Sequence, residues 1–232
     1  MIRSIIAVGL AAIGLHAGTA SAQNLVVNGS FETNTLGSGN YRDMLVGSSD
    51  LPGWTIIGPS GTHISQVDRN YAGNAGYTFP AQDGLLWVDL AGYSDNAADG
   101  VQQTVATMIG ASYDFNFYLG NVSGGAFGTQ SLVNVVLNGV SFSCVNTTQT
   151  QNLTWQPCGR SFVATSATTT FSISNGDPTS DYSSAIDNVV LQLSATQPGG
   201  VPEPATWASI IVGFGAMGGV LRRRKRDAMA LA

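Results

Sequence analysis

The residues able to do chemistry in this chain are few and mostly acidic. Between Gln23 and Gln197, twelve Asp or Glu stand against Arg42, Arg69 and Arg160 alone, a net of −9, and Lys is absent. Such a surface repels phosphate backbones, so nucleic acid is excluded as a partner, while a metal cation or a neutral sugar is compatible with it. The most informative acid is Asp187, in Ala185-Ile186-Asp187-Asn188-Val189-Val190-Leu191. It shares strand parity with Val189, Leu191 and Leu193, and if that face is buried the carboxylate needs a partner. Two solutions stay open: a hard cation such as calcium, held by Asp, Glu and backbone carbonyls, or hydrogen bonds from backbone amides at a strand end.

Enzyme chemistry finds little support. Acids are plentiful, but no spacing pairs two of them across a cleft as glycoside hydrolysis needs. His63 is the one histidine after residue 22, and no Ser-His-Asp pattern forms around it. Gly73–Gly76 and Gly124–Gly128 lack the Lys and following helix of a phosphate loop. Cys144 and Cys158 are the only cysteines. In an exported chain they are expected to form a structural disulfide closing a loop of about fifteen residues. The remaining candidates are aromatic. Tyr71, Tyr77, Trp87, Tyr93 and Trp155 could stack on the apolar face of a sugar while neighbouring polar groups bond its hydroxyls. Core packing competes with that role at every one of them. Trp87 is read as alternating with Asp89, so that one of the two faces solvent. Trp54, after Pro52-Gly53, reads as core.

The elements that must position these residues are short strands. The chain has 29 Gly and only 10% charged residues, a composition suited to strands and turns. Tyr113, Phe115, Phe117 and Leu119 alternate with polar residues, as do Phe171 and Ile173. Val133–Leu137 and Val140–Phe142 flank Asn138-Gly139, a tight hairpin signal. Further strands are expected at Leu25–Val27, Trp54–Ile57, Leu86–Leu90, Val101–Val105, Arg160–Ala164 and Ala185–Leu193. No long amphipathic helix appears. The fold class expected is all-β, a β-sandwich.

Both ends carry targeting signals. Arg3, the apolar run Ile5–Leu15 and Ala20-Ser21-Ala22 make residues 1–22 a signal peptide, with Gln23 as the mature N-terminus. At the other end the apolar run Ala205–Leu221 would reach about 25 Å as a helix, at the short end of what spans a bilayer. Arg222, Arg223, Arg224, Lys225 and Arg226 follow it and should stay in the cytoplasm. Val201-Pro202-Glu203-Pro204-Ala205-Thr206-Trp207, the Gly-rich apolar span and the basic block resemble the PEP-CTERM sorting signal. That resemblance implies an exosortase-type processing enzyme as partner, reading Pro202, Glu203 and Pro204 outside the membrane in a bacterium that makes exopolysaccharide. An ordinary single-span anchor behind a Pro-rich linker is the alternative.

The central region carries a second resemblance. NLVVNGSFE from Asn24, LPGW from Leu51, DGLLWVDLAG from Asp83, GVQQTV from Gly100, YDFNFYLGN from Tyr113 and AIDNVVL from Ala185 resemble the galactose-binding-like jelly rolls of the DUF642 and carbohydrate-binding-module type. That resemblance implies a jelly-roll sandwich. It also implies a structural calcium site to which Glu32 and Asp187 contribute.

The organisation expected is a signal peptide at 1–22, a sandwich domain at 23–194, a linker at 195–200, the sorting signal at 201–226 and a cytoplasmic tail at 227–232. The function expected is an exported, non-catalytic surface or matrix protein that is anchored transiently in the inner membrane and is associated with polysaccharide. A structural or adhesive envelope protein that contacts other proteins without a sugar site is the alternative.

Overall fold

A computed structural model describes residues 23–92, 97–177 and 184–195, all within one compact unit, Ala22–Pro198. Tyr93, the expected signal peptide and the whole expected sorting signal lie outside the described residues. Among the described residues no helix is long and apolar enough to cross a membrane, and the expected span Ala205–Leu221 is not among them.

Eleven strands form two antiparallel sheets. They are β1 (Tyr41–Leu45), β2 (Thr55–Ile57), β3 (His63–Asp68), β4 (Leu86–Asp89), β5 (Gly100–Ala106), β6 (Ser112–Asn121), β7 (Ser131–Leu137), β8 (Val140–Asn146), β9 (Thr154–Val163), β10 (Thr168–Asn175) and β11 (Ala185–Leu193). The six-stranded sheet runs β1-β3-β4-β11-β6-β9 and the five-stranded sheet runs β2-β5-β10-β7-β8. A 3-10 turn at Gly125–Phe127 is the one helical element among the described residues. The all-β sandwich expected from the sequence is therefore present.

The main core fills the space between the sheets. Val88, Phe115, Phe117, Leu119, Ile186 and Leu191 meet Ile56, Val101, Val135, Leu137, Phe171 and Ile173, all buried. Phe115 and Phe171 touch across the two layers at 4.8 Å between ring centroids. Each such side chain contributes roughly 1.5–3 kcal/mol on burial. The alternation read in β6 and β10 is this inner face.

The β7–β8 hairpin turns at Asn138 (φ 51°) and Gly139 (φ 78°). Both are left-handed, the conformation a two-residue turn needs to match strand twist. Cys144 on β8 is bonded to Cys158 on β9, with Cα atoms 6.2 Å apart. Since β8 and β9 are the edge strands of different sheets, the disulfide closes one open side of the sandwich.

Three expectations change. Leu25–Val27 is not a strand; Leu25 N donates to Leu191 O, but Val27 is held by a glutamine side chain instead of a ladder. β1 and β3 were not anticipated. β1 is an edge strand carrying Arg42 and Asp43, with only Met44 buried, and β3 is buried from Ile64 to Asp68, so neither alternates cleanly. Finally, β11 contains a bulge between Asp187 and Val190, with Asn188 at φ 48°. The bulge breaks the parity assumed for Asp187: Val189 and Leu191 enter the main core, while Asp187 lies on the outer face with Ala185.

Candidate functional site

Asp187 is fully buried, as expected, but under a loop instead of between the sheets. Its Oδ2 accepts backbone N–H groups from Gln82 and Asp83, each at 2.9 Å, and its Oδ1 accepts that of Asn188 at 2.6 Å. Glu32 holds the other end of the same loop: its Oε1 accepts from Leu85 N at 2.8 Å and Leu86 N at 2.7 Å. Between them Gly84 stands at φ 64°, where an added Cβ would meet the Glu32 carboxylate. The two acids predicted to act together thus share the loop Gln82–Leu86, which they clamp through its amides. Burial pushes the Asp187 carboxyl up to about 7, against the pull of its three amide bonds, and the neighbouring Asp83 charge adds to the rise.

Calcium would need oxygens turned toward a common point. Here the described oxygens face N–H groups, which carry partial positive charge. Oδ2 of Asp187 and Oε1 of Glu32 each already accept two bonds. Among the described residues no three His, Cys, Asp or Glu gather as a metal group. The arrangement present is backbone amides at each carboxylate, one of the two solutions left open by the sequence.

The N-terminal segment Asn24–Glu32 is the hub of this region. Asn24 Oδ1 accepts from Leu191 N at 3.0 Å, and its Nδ2 donates to Val189 O at 3.1 Å. Val189 N donates to Gly29 O at 2.9 Å, so the bulge's free backbone groups are satisfied by this segment. Gln103, buried in β5, accepts from Val27 N and donates to the carbonyls of Val27 and Gly53. Trp54 Nε1 donates to Asn28 O at 2.9 Å. Ser30 Oγ donates to Asp83 at 2.7 Å. Five of the sequence motifs singled out above therefore meet, and what they build is a lock on the fold.

The aromatic candidates also come together. Trp87, Phe79, Val67, Val122, Leu153 and Ala185 form a second buried cluster on the outer face of the six-stranded sheet, with Tyr71, Tyr77, Phe127 and Trp155 half-buried around it. Trp87 and Phe79 stack at 6.3 Å, Trp155 meets Trp87 edge-on at 6.2 Å, and Tyr77 packs on Phe127 at 5.0 Å. Both indoles are anchored: Trp87 Nε1 donates to Phe79 O and Trp155 Nε1 to Pro80 O. Trp87 is buried and belongs to the cluster floor, so it offers no ring face to solvent. The expectation that one of Trp87 and Asp89 faces solvent fails because residues two apart share a face; Asp89 is half-buried beside the cluster. A cavity of about 20 Å³ reaches Asp89 beneath Phe79 and Phe127, room for a water and far too small for a sugar ring. What remains accessible is a rim of Tyr71, Tyr77 and Trp155, joined by Tyr41, whose ring meets Tyr71 edge-on at 5.5 Å. Sequence reasoning missed Tyr41, and its place on an unanticipated edge strand is why.

His63, Asp43 and Ser65 also converge, on β1 and β3. His63 Nε2 lies 3.9 Å from Asp43 Oδ1, and Ser65 Oγ donates to that same oxygen at 2.5 Å. The serine is buried and bonded to the acid instead of the imidazole, so the trio lacks the order in which a histidine activates a hydroxyl.

A family model described as "Protein of unknown function (DUF642)" matches residues 24–192. No curated protein matches the chain. Among solved structures, TmCBM61 in complex with beta-1,4-galactotriose is 17% identical, with a TM-score of 0.41 over 74% of this chain and 99% of that one. A family 35 carbohydrate binding module from Clostridium thermocellum is 14% identical, with a TM-score of 0.38 over 67% of this chain and 99% of that one. The CBM22-1 xylan-binding domain from Paenibacillus barcinonensis is 14% identical, with a TM-score of 0.38 over 68% and 97%. The family match runs from the Asn24 hub to Gln192 in β11, the stretch that forms the sandwich and its lock, and the chain belongs to the DUF642 family.

Proposed function

We propose that this chain is an exported, non-catalytic surface protein whose sandwich binds polysaccharide and whose Pro202-Glu203-Pro204 tail is processed by an exosortase-type enzyme. The observation that carries the sugar reading is the rim of Tyr71, Tyr77 and Trp155, set half-buried on a rigid aromatic floor, with the exposed Tyr41 ring against Tyr71. Rings fixed by packing present their faces without losing side-chain entropy on binding, and a neutral sugar costs no charge desolvation there. The Cys144–Cys158 bridge supports an oxidising, extracytoplasmic location. A glycan array probed with the purified chain tests the reading. Wild type should bind at least one neutral glycan, and Trp155→Ala with Tyr77→Ala should lower that signal at least tenfold. Binding to no glycan at all would remove the sugar function.

A second reading is favoured by one observation. Trp155 and Trp87 spend their N–H groups on the carbonyls of Pro80 and Phe79, which holds the covering loop to the sheet. Rings used this way suit an adhesive or structural envelope protein. An empty glycan array together with a large loss of stability in Trp155→Ala would select it.

A further inference from the structure

The sandwich domain's chain enters and leaves at one end of the sandwich, and that end is apolar. β5, β9 and β11 finish there and β6 and β10 start there: Ala106 pairs with Thr168, Ser112 with Val163 and Tyr113 with Leu193. Leu25 N donates to Leu191 O, so the segment from Gln23 enters beside the last strand. A groove of about 320 Å³ opens here between Gln23, Leu25, Ala106, Met108, Tyr113 and Leu193. At its lip stands the turn Met108–Ala111, in which Ala111 N donates to Met108 O at 3.1 Å and Gly110 has φ 81°. Met108 is 57% exposed and Ile109 71%, and Val163 and Leu193 add exposed apolar surface. Large apolar side chains at the tip of a turn are unfavourable in water and mark a contact surface. The turn is nonetheless firmly held. Met108 N donates to Tyr113 Oη at 2.9 Å, Gly110 N to Ala164 O at 2.8 Å, and Thr107 N to Ala167 O at 2.9 Å.

From this convergence we infer that this end of the domain seats on a lipid bilayer, with Met108 and Ile109 entering the interface of neutral phospholipid. The chain outside the sandwich points to the occupant. The inference rests on the reading of Ala205–Leu221 as a membrane span. Only residues 195–204 separate that run from Ser194, whose N–H is bonded to Ser112 O at the groove end. At about 3.5 Å per residue, such a linker keeps this end within about 35 Å of the bilayer even when fully extended. Tethering at that range makes a weak apolar contact sufficient. The N–H groups of Met108, Gly110 and Ala111 are already bonded inside the protein, so they enter a water-poor layer without being left unmet. No charge falls in residues 23–27, 104–113, 161–170 or 190–202, the segments around this end, so no ion has to be desolvated. The net −9 between Gln23 and Gln197 favours neutral over anionic lipid. A seated domain keeps Pro202-Glu203-Pro204 close to the bilayer surface, within reach of a membrane-embedded processing enzyme.

The full chain reconstituted in phosphatidylcholine vesicles tests it. The two native cysteines are bonded to each other, so Ile109→Cys or Gln149→Cys supplies a single thiol for an environment-sensitive fluorophore. Gln149 is exposed between β8 and β9, at the opposite end, where Asn121 pairs with Thr154. The label at 109 should shift its emission to the blue in vesicles. Lipid carrying a nitroxide should quench it at least fivefold more than the label at 149. Adding Met108→Asp should cut that quenching at least threefold with the melting temperature unchanged, and Met108→Leu should leave it as it was. Quenching untouched by Met108→Asp overturns the inference. So does equal quenching at both positions in a chain that floats with the vesicles, which leaves the span intact. A blue-shifted label at 109 that nitroxide lipid fails to quench means that protein covers the groove, and overturns the bilayer as occupant. In that case a signal lost on dilution to one chain per vesicle identifies a second copy, and one that persists identifies the chain's own apolar run. A chain that does not float with the vesicles overturns the span and the seating together.

Discussion

At the scale of the residue, Asp187 decides most. A carboxylate without solvent survives here because three backbone N–H groups reach it, and the same burial lifts its titration from 3.8 to about 7. Between those values the folded chain holds a proton that the unfolded chain has released. Unfolding then gives up a proton, so stability falls as pH rises from about 4 to about 7 and is level beyond. The full effect is at most about 4 kcal/mol. Urea midpoints at pH 4.5 and 7.5 should show wild type losing stability across that interval. Asp187→Asn should be less stable at low pH by about 1–3 kcal/mol, because its NH2 meets N–H donors, yet show a shallower pH dependence. Equal slopes in the two proteins would mean the group does not titrate there. Glu32 makes a companion case. Glu32→Gln keeps the acceptor for Leu85 and Leu86 and should change stability little, whereas Glu32→Ala should cost about 1–3 kcal/mol and expose the loop Gln82–Leu86 to faster amide exchange.

Elements are secured at two places. The first is the bulge in β11, whose unpaired groups at Val189 are met by Gly29 and Asn24. A Cβ on Gly29 would collide with the Val189 carbonyl, so Gly29→Ala should force the segment off the bulge and destabilise by several kcal/mol, visible as a lower urea midpoint. Ser30→Ala, which loses only the bond to Asp83, should be far milder. The second place is the disulfide between edge strands. Its 14-residue separation corresponds to about 3 kcal/mol on the chain-entropy account. Replacing both cysteines by Ser should lower the melting temperature accordingly, and exchange protection should fall first in β8 and β9. Protection lost evenly across both sheets would show that the bridge does not guard that side.

At the scale of the whole molecule, a lock made from carboxylates and amides needs no ion. Calcium or a chelator should therefore leave the melting temperature of wild type unchanged. A clear rise with calcium that disappears in Asp187→Ala would restore the metal reading. The proposed sorting role of the C-terminal tail is tested independently of the domain. On the proposed reading, Pro202-Glu203-Pro204 is the motif that the processing enzyme recognises. Glu203→Ala should leave export intact and trap an uncleaved, membrane-bound form, seen as a larger band in the membrane fraction. Processing indistinguishable from wild type would reduce the motif to a linker.

Period-two patterning in β6 and β10, the Asn138-Gly139 turn and the isolated cysteine pair were enough to read an all-β sandwich with one disulfide from the sequence alone. These features are local: side-chain alternation, turn conformation and redox chemistry act over a few residues. The targeting signals expected at both ends rest on equally local features, apolar length and flanking charge. Long-range contacts decided the rest. A one-residue bulge moved Asp187 to the opposite face, and no pattern in Ala185–Leu193 reveals whether a strand will bulge. The partners of Glu32 and Asp187 are backbone amides, which every residue carries and no residue type announces. The aromatics at 71, 77, 87 and 155 read alike as sugar platforms, and only packing separated the buried floor at Trp87 from the accessible rim.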